Sequence, residues 1–312
     1  MILVFGSLNI DLVLAVPRIP RPGETVLAPS YERKPGGKGA NQAVAAARAG
    51  GRVAMAGAVG DDGFGREVID NLAAQGVDTT LLRTVDRPTG LACITVDAEA
   101  ENAIAVASGA NGVADSNTIP DTALGPETLV VLQMEVPPAA NWRLVERARA
   151  QSARVMLSLA PAGPLPEHAF RGLDYFLVNR LEAEMAADAL GLASGDIGTT
   201  ARNLARQGGT LVIVTLGADG VLATDGESVL TQPSLRVDPV DTTGAGDTFA
   251  GVLAAGLDAG LGLAAAVARA STAAALACTG LGAQESMPTA AEIDQRMADL
   301  PAANLAGPEF GD

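Results

Sequence analysis

The chain has 312 residues, of which 48% are hydrophobic and only 3% are aromatic. This length is compatible with one undivided α/β domain whose core is filled by Ala, Val and Leu. The 21 basic and 36 acidic residues give a formal charge of −15, and because such a surface repels nucleic acid and anionic membranes, neither is an expected partner.

The few cysteines and the single histidine exclude several classes of site. Cys93 and Cys278 lie in apolar sequence and are too few for a disulfide framework. His168 alone cannot form a histidine-based zinc site, and no Gly-x-Ser-x-Gly accompanies it to suggest a serine hydrolase. The chain starts without a basic leader, and the uncharged run Ala270–Gln284 is too short to span a bilayer. We therefore expect a soluble, cytoplasmic protein.

The first predicted strand, Ile2–Phe5, is a short apolar run with Asn9 and Asp11 just beyond it. Polar side chains that follow the carboxyl end of a strand often contact ligands in open α/β sheets. An amide and a carboxylate two residues apart can hold adjacent hydroxyls of a polyol. The alternative is a plain turn, because Asn and Asp both favour turns.

Four predicted strands do not fit a β-α alternation, and each pair is joined by turn-forming residues. They predict a small separate sheet, such as a lid, with strands inserted at about residues 12–33 and 91–107. The four strands are Leu12–Val16, Thr25–Arg33, Leu91–Val96 and Ala103–Ala107.

A glycine-rich segment, Pro35–Gln42, runs into a predicted helix at Ala43–Ala49. It is not a Walker A loop, because Lys38 is followed by glycine and the first glycine of that motif is absent. Glycines at a helix start let a ligand approach the backbone closely. Lys38 and Asn41 would then lie on the side of that ligand. The alternative is an ordinary solvated lysine in a glycine turn.

From Arg52 onward the strand and helix patterns alternate, which predicts a parallel sheet flanked by helices. Several strands end in polar or glycine residues, at Glu135, Asn179 and Thr215–Gly220. Parallel strands bring such ends to one edge of the sheet, where a site is expected. The predicted elements are strands Val53–Ala58, Thr128–Met134, Arg154–Leu159, Tyr175–Val178 and Thr210–Thr215, and helices Gly65–Ala74 and Ala139–Ala150.

Two of these strand ends suggest a nucleotide site. Asn179 and Glu182 are three residues apart at a helix start and fall on one face, where they can order water around a magnesium ion bound to phosphates. A capping box is the alternative. The segment Gly217-Ala218-Asp219-Gly220 can lie against a nucleotide, or it can merely turn between strands.

The segment Asp241–Phe249 is polar and glycine-rich and opens an apolar helix near Gly246–Leu257. Gly244 and Gly246 would give an anion access to the unpaired N–H groups of the first helical turn. Asp247 would stand beside that anion, where it can accept the proton of a hydroxyl group. The pattern therefore favours phosphoryl transfer to a hydroxyl. A capping pair beside a tight turn is the alternative.

The remaining sequence predicts helices at Leu263–Leu276 and Ala290–Leu300, followed by a loose tail at Pro301–Asp312. A second glycine-rich segment, Thr279–Ser286, lies between the two helices. We find no internal repeat and no low-complexity linker. The whole chain, residues 1–312, is therefore expected to form a single domain.

Three motifs in this order resemble the ribokinase (PfkB-type) family of sugar kinases: Gly36–Asn41, Asn179-x-x-Glu182 and Asp241–Asp247. The resemblance extends from Gly6 to Pro288. It implies a doubly wound, mostly parallel sheet flanked by helices, with a small β-sheet lid. In this family the lid closes over the sugar and often forms a homodimer interface.

The resemblance also assigns roles to single residues. Asp247 matches the catalytic base, and Gly244, Ala245 and Gly246 match the anion hole. The substrate-binding positions are matched by Asn9, Asp11, Gly37, Lys38, Asn41, Glu135 and Asp247. The ATP-binding positions are matched by Asn179, Thr215, Gly217, Ala218, Asp219, Gly220, Gly246 and Ser271. Glu182 matches a residue that holds Mg²⁺ through water, and the K⁺ positions are matched by Asp241, Thr243, Ala277, Gly280, Gly282 and Ser286.

The implied reaction is magnesium-assisted, potassium-activated transfer of phosphate from ATP to the primary O5 hydroxyl of D-ribose. Arg180 and Ser158 depart from residues that are usual in the family. The alternatives are the same chemistry on deoxyribose, a ketohexose, ketogluconate or a nucleoside, and a sugar-binding protein without catalysis, which the intact Asp247 disfavours. No Gly-x-Gly-x-x-Gly occurs, which argues against a nicotinamide-dependent oxidoreductase.

Overall fold

The computed structural model describes residues 1–99, 101–193, 195–308 and 310. Within these residues the strands are β1 Ile2–Phe5, β2 Asn9–Ala15, β3 Glu32–Gly36, β4 Val53–Gly60, β5 Asp78–Val85, β6 Gly90–Val96, β7 Asn102–Ala107, β8 Leu129–Leu132, β9 Arg154–Ser158, β10 Tyr175–Asn179, β11 Leu211–Thr215, β12 Val221–Thr224, β13 Val229–Gln232 and β14 Asn304–Ala306. The α-helices are α1 Lys38–Arg48, α2 Gly63–Ala74, α3 Pro138–Ala150, α4 Glu167–Phe170, α5 Arg180–Ala189, α6 Ile197–Gly208, α7 Ala245–Asp258, α8 Leu263–Ala277 and α9 Ala290–Arg296.

Among the described residues, ten strands form one large sheet in the order β14-β13-β12-β11-β10-β9-β8-β1-β4-β5. All pairs from β5 to β11 are parallel, and the pairs from β11 to β14 are antiparallel. The order reverses between β1 and β8, which makes this point the topological switch where α/β sheets bind ligands. The predicted doubly wound, mostly parallel sheet is therefore confirmed.

The large sheet is buried on both faces, which explains why its central strands are uninterrupted apolar runs. Along β1, Ile2 and Val4 pack into the same hydrophobic cluster as α1, α7 and α8. Leu3 and Phe5 point the other way and pack with α3, α5 and α6. Two helical layers therefore enclose the sheet. No helix in the described part of the chain combines the length and apolarity needed to cross a bilayer.

A separate four-stranded sheet has the order β3-β2-β6-β7 and corresponds to the predicted lid. The predicted lid strand Thr25–Arg33 is wrong for most of its length. The strand is Glu32–Gly36 instead, because the backbone that pairs antiparallel with β2 runs from Glu32 to Gly36. The apolar residues that suggested the earlier position do not reach the core, and Leu27 is 83% exposed.

Several elements escaped the sequence analysis. Strand β5 is polar and only partly buried because it lies at the edge of the sheet. Helix α6 carries few large apolar residues, and the hairpin of β12 and β13 has strands of four residues each.

The prediction of a loose C-terminal tail at Pro301–Asp312 is wrong for part of this segment. Residues Asn304–Ala306 pair with β13, while residues 309, 311 and 312 lie outside the described part of the chain. The predicted helix Ala290–Leu300 ends at Arg296 and continues as a 3-10 turn, Met297–Asp299.

Candidate active site

The switch point brings the segments after β1 and β8 into contact. Ser7, just beyond β1, donates a hydrogen bond from Oγ to Oε2 of Glu135, at 2.6 Å. The backbone N–H of Lys38, the first residue of α1, donates to the same oxygen at 3.1 Å. Because α1 starts at this carboxylate, the glycine-rich segment and Glu135 form one site.

A pocket of about 440 Å³ opens beside Glu135 and Asn9. The Nδ2 group of Asn111 donates to Oδ1 of Asn9 at 2.7 Å, and Asn111 is itself fixed by hydrogen bonds to the backbone of Leu8. This contact turns the NH₂ group of Asn9 away from Asn111. The sequence analysis did not single out Asn111, whose role depends on the fold. The pocket is lined by Asn9, Val106, Ser108, Asn111, Gly112, Met134, Glu135, Val136, Pro137 and Pro161.

Asp247 lies in the first turn of α7 and is buried. Its Oδ2 accepts a hydrogen bond from Nδ2 of Asn41 and its Oδ1 accepts one from Nε2 of Gln42, both at 3.0 Å. The negative charge of Asp247 is the largest factor that raises the pKa of Lys38. Asp247 and Lys38 therefore interact electrostatically near the start of α1.

The loop before Asp247 has the geometry of an anion-binding turn. Gly244 caps α7 in the left-handed conformation, with φ of 75°, and an added Cβ would lie 2.9 Å from Cβ of Ala283. Only glycine meets both conditions. Ala245 and Gly246 then form the N-terminus of α7, where the macrodipole favours negative charge. Gly246 is exposed, whereas Ala245 is half-buried and its N–H group donates to the carbonyl of Thr242 at 3.2 Å.

A larger pocket of about 660 Å³ adjoins this loop. It brings together six of the predicted ATP-binding residues, whereas Asn179 and Asp219 do not line it. The six are Thr215, Gly217, Ala218, Gly220, Gly246 and Ser271. The sequence analysis missed the segment Ser234–Pro239, which forms one wall and carries no motif. Asp247 directly follows Gly246, one of the lining residues, but does not itself line this pocket.

Comparison with known proteins agrees with this geometry. The model of the pfkB family of carbohydrate kinases matches residues 1–290.

The chain belongs to the pfkB family of carbohydrate kinases.

Individual members of the family resemble the chain over nearly all of its length. A ribokinase from Bacillus subtilis is 37% identical over 94% of this chain and 98% of its own. A deoxyribokinase from Salmonella typhi is 35% identical over 94% of this chain and 97% of its own. The structure of an Arabidopsis thaliana ribokinase complexed with ribose and ATP is 27% identical, covers 95% of this chain and 98% of its own, and has a TM-score of 0.85.

In this pfkB kinase Asn179 and Glu182 form a capping box. The side chain of Asn179 accepts from the N–H of Glu182, and Oε2 of Glu182 accepts from the N–H of Asn179 at 2.7 Å. Burial raises the pKa of Glu182, and its charge interacts with Lys38 and Asp247. The capping box therefore holds a carboxylate near the site. A role as a helix cap and a role in ordering water around a magnesium ion are compatible for this motif.

The residues present fit a magnesium ion whose other ligands are phosphates and water. No cluster of three or more His, Cys, Asp or Glu residues able to hold a metal occurs in residues 1–99, 101–193, 195–308 and 310. Mg²⁺ in kinases usually keeps several waters and takes one or two carboxylates besides the substrate phosphates. The capping box holds one carboxylate of this kind, that of Glu182.

The predicted potassium positions lie on two segments that are hydrogen-bonded to each other. One is the loop before α7, and the other is the end of α8, at Ala277, with the loop that follows it. Asp241 accepts from the N–H groups of Thr243 and Gly282, both at 2.9 Å, and Ser286 donates to the carbonyl of Gly282 at 2.6 Å. Burial opposes ionisation of Asp241, but the bonds from Thr243 and Gly282 outweigh it, so its pKa lies below the usual value. One ionised carboxylate among carbonyl and hydroxyl oxygens fits a hard monovalent cation.

Asp11 lies on β2 at the entrance to the site. Burial, followed by the charges of Glu135, Glu285 and Asp247, raises its pKa from 3.8 to about 6. A Cβ on Gly36, the residue at the end of β3, would overlap the Asp11 carboxylate. The site therefore holds an acceptor group that is costly to ionise.

The substitution Asp11→Asn is expected to stabilise the protein at pH 8 and to have little effect near pH 4. A carboxyl whose pKa is raised in the folded state favours folding when protonated, and this contribution is lost as the pH rises through about 6. The effect of the substitution on the free energy of unfolding should differ between the two pH values by roughly 3 kcal/mol at most. Urea unfolding at the two pH values measures it, with the exposed Asp70→Asn as control. An equal effect of Asp11→Asn at both pH values would contradict the expectation.

Proposed function

We propose that the protein is an ATP-dependent kinase that phosphorylates the primary O5 hydroxyl of D-ribose. The observation that carries this proposal is the buried Asp247 carboxylate at the head of α7, directly after the left-handed Gly244 turn and next to the 660 Å³ pocket. Ribokinases among the similar proteins, and one of their structures with ribose and ATP, support the substrate pair.

In the proposed mechanism the O5 hydroxyl of ribose attacks the γ-phosphorus of ATP. Asp247 accepts the hydroxyl proton while the new O5–P bond forms and the bond between the γ-phosphorus and the bridging oxygen breaks, which releases ADP. Charge that develops on the phosphoryl oxygens is stabilised by the N–H groups of Gly244, Ala245 and Gly246. The N–H group of Ala245 donates to the carbonyl of Thr242 at 3.2 Å in this structure, so it would be shared between that carbonyl and the phosphoryl oxygen.

The sugar is proposed to bind between the lid and the switch point. The fixed NH₂ group of Asn9 donates to one hydroxyl and the carboxylate of Asp11 accepts from its neighbour, so a vicinal diol satisfies both. Gly37, Lys38, Asn41 and Glu135 complete the substrate contacts. Deoxyribose lacks one of the two hydroxyls and would leave one of these groups unpaired, which favours ribose.

ATP is proposed to occupy the larger pocket, in contact with the six predicted residues that line it and with Asn179 and Asp219 beside it. Magnesium, held by the phosphates and through water by Glu182, would neutralise charge on the transferred group. Potassium, at Asp241, Thr243, Ala277, Gly280, Gly282 and Ser286, would add fixed positive charge beside the anion-hole loop.

The cell compartment and partners follow from the same proposal. We place the enzyme in the cytoplasm, where ATP is made and where thiols such as Cys93 and Cys278, which are free in the structure, stay reduced. The formal charge of −15 argues against nucleic acid and membranes as partners. The chain acts as a single domain, residues 1–312, with the small sheet as its lid.

We further propose that the lid forms a homodimer interface. Large apolar side chains are exposed on or beside the small sheet, including Leu27, Tyr31, Ile104 and Val106. Ile104 is 57% exposed in the isolated chain, which favours a covering partner. Sedimentation is expected to show a dimer for the wild type and a monomer for Ile104→Asp. Met185→Asp, an exposed position on α5, is the control, and a monomeric wild type would exclude the interface.

The decisive test measures ADP release from ATP with ribose, deoxyribose, ketohexoses, ketogluconate and nucleosides, each with and without potassium. The proposal expects the highest kcat/KM with ribose and an increase on addition of potassium. Faster turnover of another sugar would keep the chemistry and replace the substrate. Ribose binding without turnover of any sugar would favour a sugar-binding protein and overturn the kinase proposal.

A further inference from the structure

Both oxygens of the Asp247 carboxylate are held by neutral amides from one turn of α1. Asn41 donates to Oδ2 and Gln42 donates to Oδ1, each at 3.0 Å. The three side chains are buried, with Gln42 fully so. An acceptor bound by two fixed donors cannot rotate, so the carboxylate has one orientation. Neither the sequence analysis nor the proposed mechanism gives Gln42 a role.

The two amides belong to a longer hydrogen-bonded series. Nε2 of Gln133, just after β8, donates to Oε1 of Gln42 at 2.8 Å. On the other side, Nε2 of Gln284 donates to Oδ1 of Asn41 at 3.0 Å, and Nδ2 of Asn71 donates to Oε1 of Gln284 at 2.7 Å. We call these residues the amide chain: Asn71, Gln284, Asn41, Gln42 and Gln133.

All members of the amide chain point their N–H groups toward Asp247. In the first arm Asn71 donates to Gln284, Gln284 to Asn41, and Asn41 to the carboxylate. In the second arm Gln133 donates to Gln42, which donates to the carboxylate. Successive bonds with one direction polarise each other, most strongly in a buried environment. The arrangement stabilises negative charge on Asp247 without bringing in a positive charge.

The distance between the two helices is fixed at this point. Gly251 lies on α7 one turn beyond Asp247, and a Cβ there would overlap the carbonyl oxygen of Gln42 and approach Cβ of Ala45 to 2.6 Å. The backbones of α1 and α7 are therefore in close contact next to the hydrogen bond from Gln42. Because the helices are this close, the side-chain amides of Asn41 and Gln42 reach the Asp247 carboxylate directly.

We propose that Gln42, oriented by Gln133, is a positioning residue that fixes the direction and proton affinity of the Asp247 carboxylate. The inference rests on the proposed function, in which Asp247 is the base. A general base must be ionised, and one of its oxygens must point at the hydroxyl proton that it accepts. The first arm of the amide chain ties the same carboxylate to Gln284, which lies in the loop with Gly282 and Ser286.

Three charged groups also act on Asp247, each from a different element. Lys38 comes from α1, Asp11 from β2 and Glu182 from α5. The substitution Gln42→Met changes none of them, and it keeps the length of the side chain while removing the donor. A change in the pH dependence of Gln42→Met would therefore report on the lost amide donor.

We expect Gln42→Met to lower kcat about 10- to 100-fold, because a hydrogen bond to a charged group contributes roughly that factor. The KM for ribose should change less than about threefold, because Gln42 contacts the base rather than the pocket. The acidic limb of the kcat/KM profile should move upward by about one pH unit or more, since a carboxylate that loses a donor is harder to ionise. Gln133→Met should give a smaller shift in the same direction.

The matched control is Gln207→Met. Gln207 donates from Nε2 to Oε1 of Glu167 at 2.9 Å, the same pair of groups on an exposed surface. It should leave kcat and the pH profile unchanged, while unfolding curves show how much each substitution destabilises the fold. A merely structural role would lower the melting temperature of Gln42→Met but leave its pH profile in place.

The outcomes separate the two proposals. A wild-type protein that phosphorylates no sugar overturns the proposed function, and this inference with it. An active wild type together with an unshifted profile and normal kcat for Gln42→Met overturns the inference alone. If Gln42→Met does not fold, the profile of Gln133→Met decides, and an unshifted profile there also overturns the inference.

Discussion

The substitution Asp247→Asn is expected to lower kcat for ribose phosphorylation by about 10²- to 10⁴-fold, the usual contribution of a general base. In the proposed mechanism this carboxylate accepts the hydroxyl proton, and the neutral amide of asparagine cannot do so. Ribose binding should survive, because the substrate pocket is lined by other residues, including Asn9 and Glu135. Initial rates of ADP release and calorimetric titration with ribose measure the two effects.

A second consequence of Asp247→Asn concerns the amides around it. The new NH₂ group must face a donor from either Asn41 or Gln42, so one hydrogen bond is replaced by a contact between two donors. The melting temperature should fall, and rates must be compared for the folded fraction. Asp70→Asn, an exposed residue on α2, is the control. Turnover of Asp247→Asn within about threefold of wild type would remove Asp247 from its proposed role.

The substitution Gly246→Ala is expected to lower kcat by up to about 10²- to 10³-fold with little change in stability. Alanine keeps the backbone N–H, but its methyl group would hold the phosphoryl group away from the donors of the loop, and loss of one such donor typically has this effect. An added Cβ at Gly246 would meet no protein atom within 4 Å, and its φ is not positive. The methyl group would instead occupy the exposed face of the anion loop. The substitution should therefore affect the binding of the phosphoryl group, and with it kcat, rather than the stability of the fold.

The chain offers a matched control for Gly246→Ala. Gly63 also lies in the first turn of a helix, α2, and a Cβ there would meet nothing within 4 Å. Gly63→Ala should leave kcat unchanged. By contrast, Gly244→Ala would be strained by its positive φ and would crowd Ala283, so it should destabilise the protein. Equal turnover of Gly246→Ala and Gly63→Ala would argue against an anion hole at this loop.

The parts of the site that are predictable from the sequence lie on single contiguous segments. Asp241–Asp247 and Pro35–Gln42 combine glycines with polar residues at a helix start, and that local chemistry is readable without the fold. The buried strands were equally clear, because strands enclosed by two helical layers become uninterrupted apolar runs. These features depend on neighbours in the sequence rather than on distant packing.

Other features depend on contacts between distant segments. Asn111 holds Asn9 from a 3-10 turn about a hundred residues away, and no pattern around it indicates that contact. Gln133 and Gln284 belong to segments far apart in the sequence, and they reach the same carboxylate through Gln42 and Asn41. The lid strand was misplaced for a related reason, since the pairing register with β2 decides where it starts.

Strand β2 belongs to the small sheet, yet only three residues separate it from the central strand β1, and it carries both Asn9 and Asp11. The lid is therefore not a cover that moves over a finished pocket. Any opening that swings the small sheet away must also carry Asp11 away from Glu135, and it would therefore break the sugar contacts proposed for these two residues. Sugar binding and lid closure would then be one event, and the phosphorylated product would lose its contacts in the same movement that opens its exit.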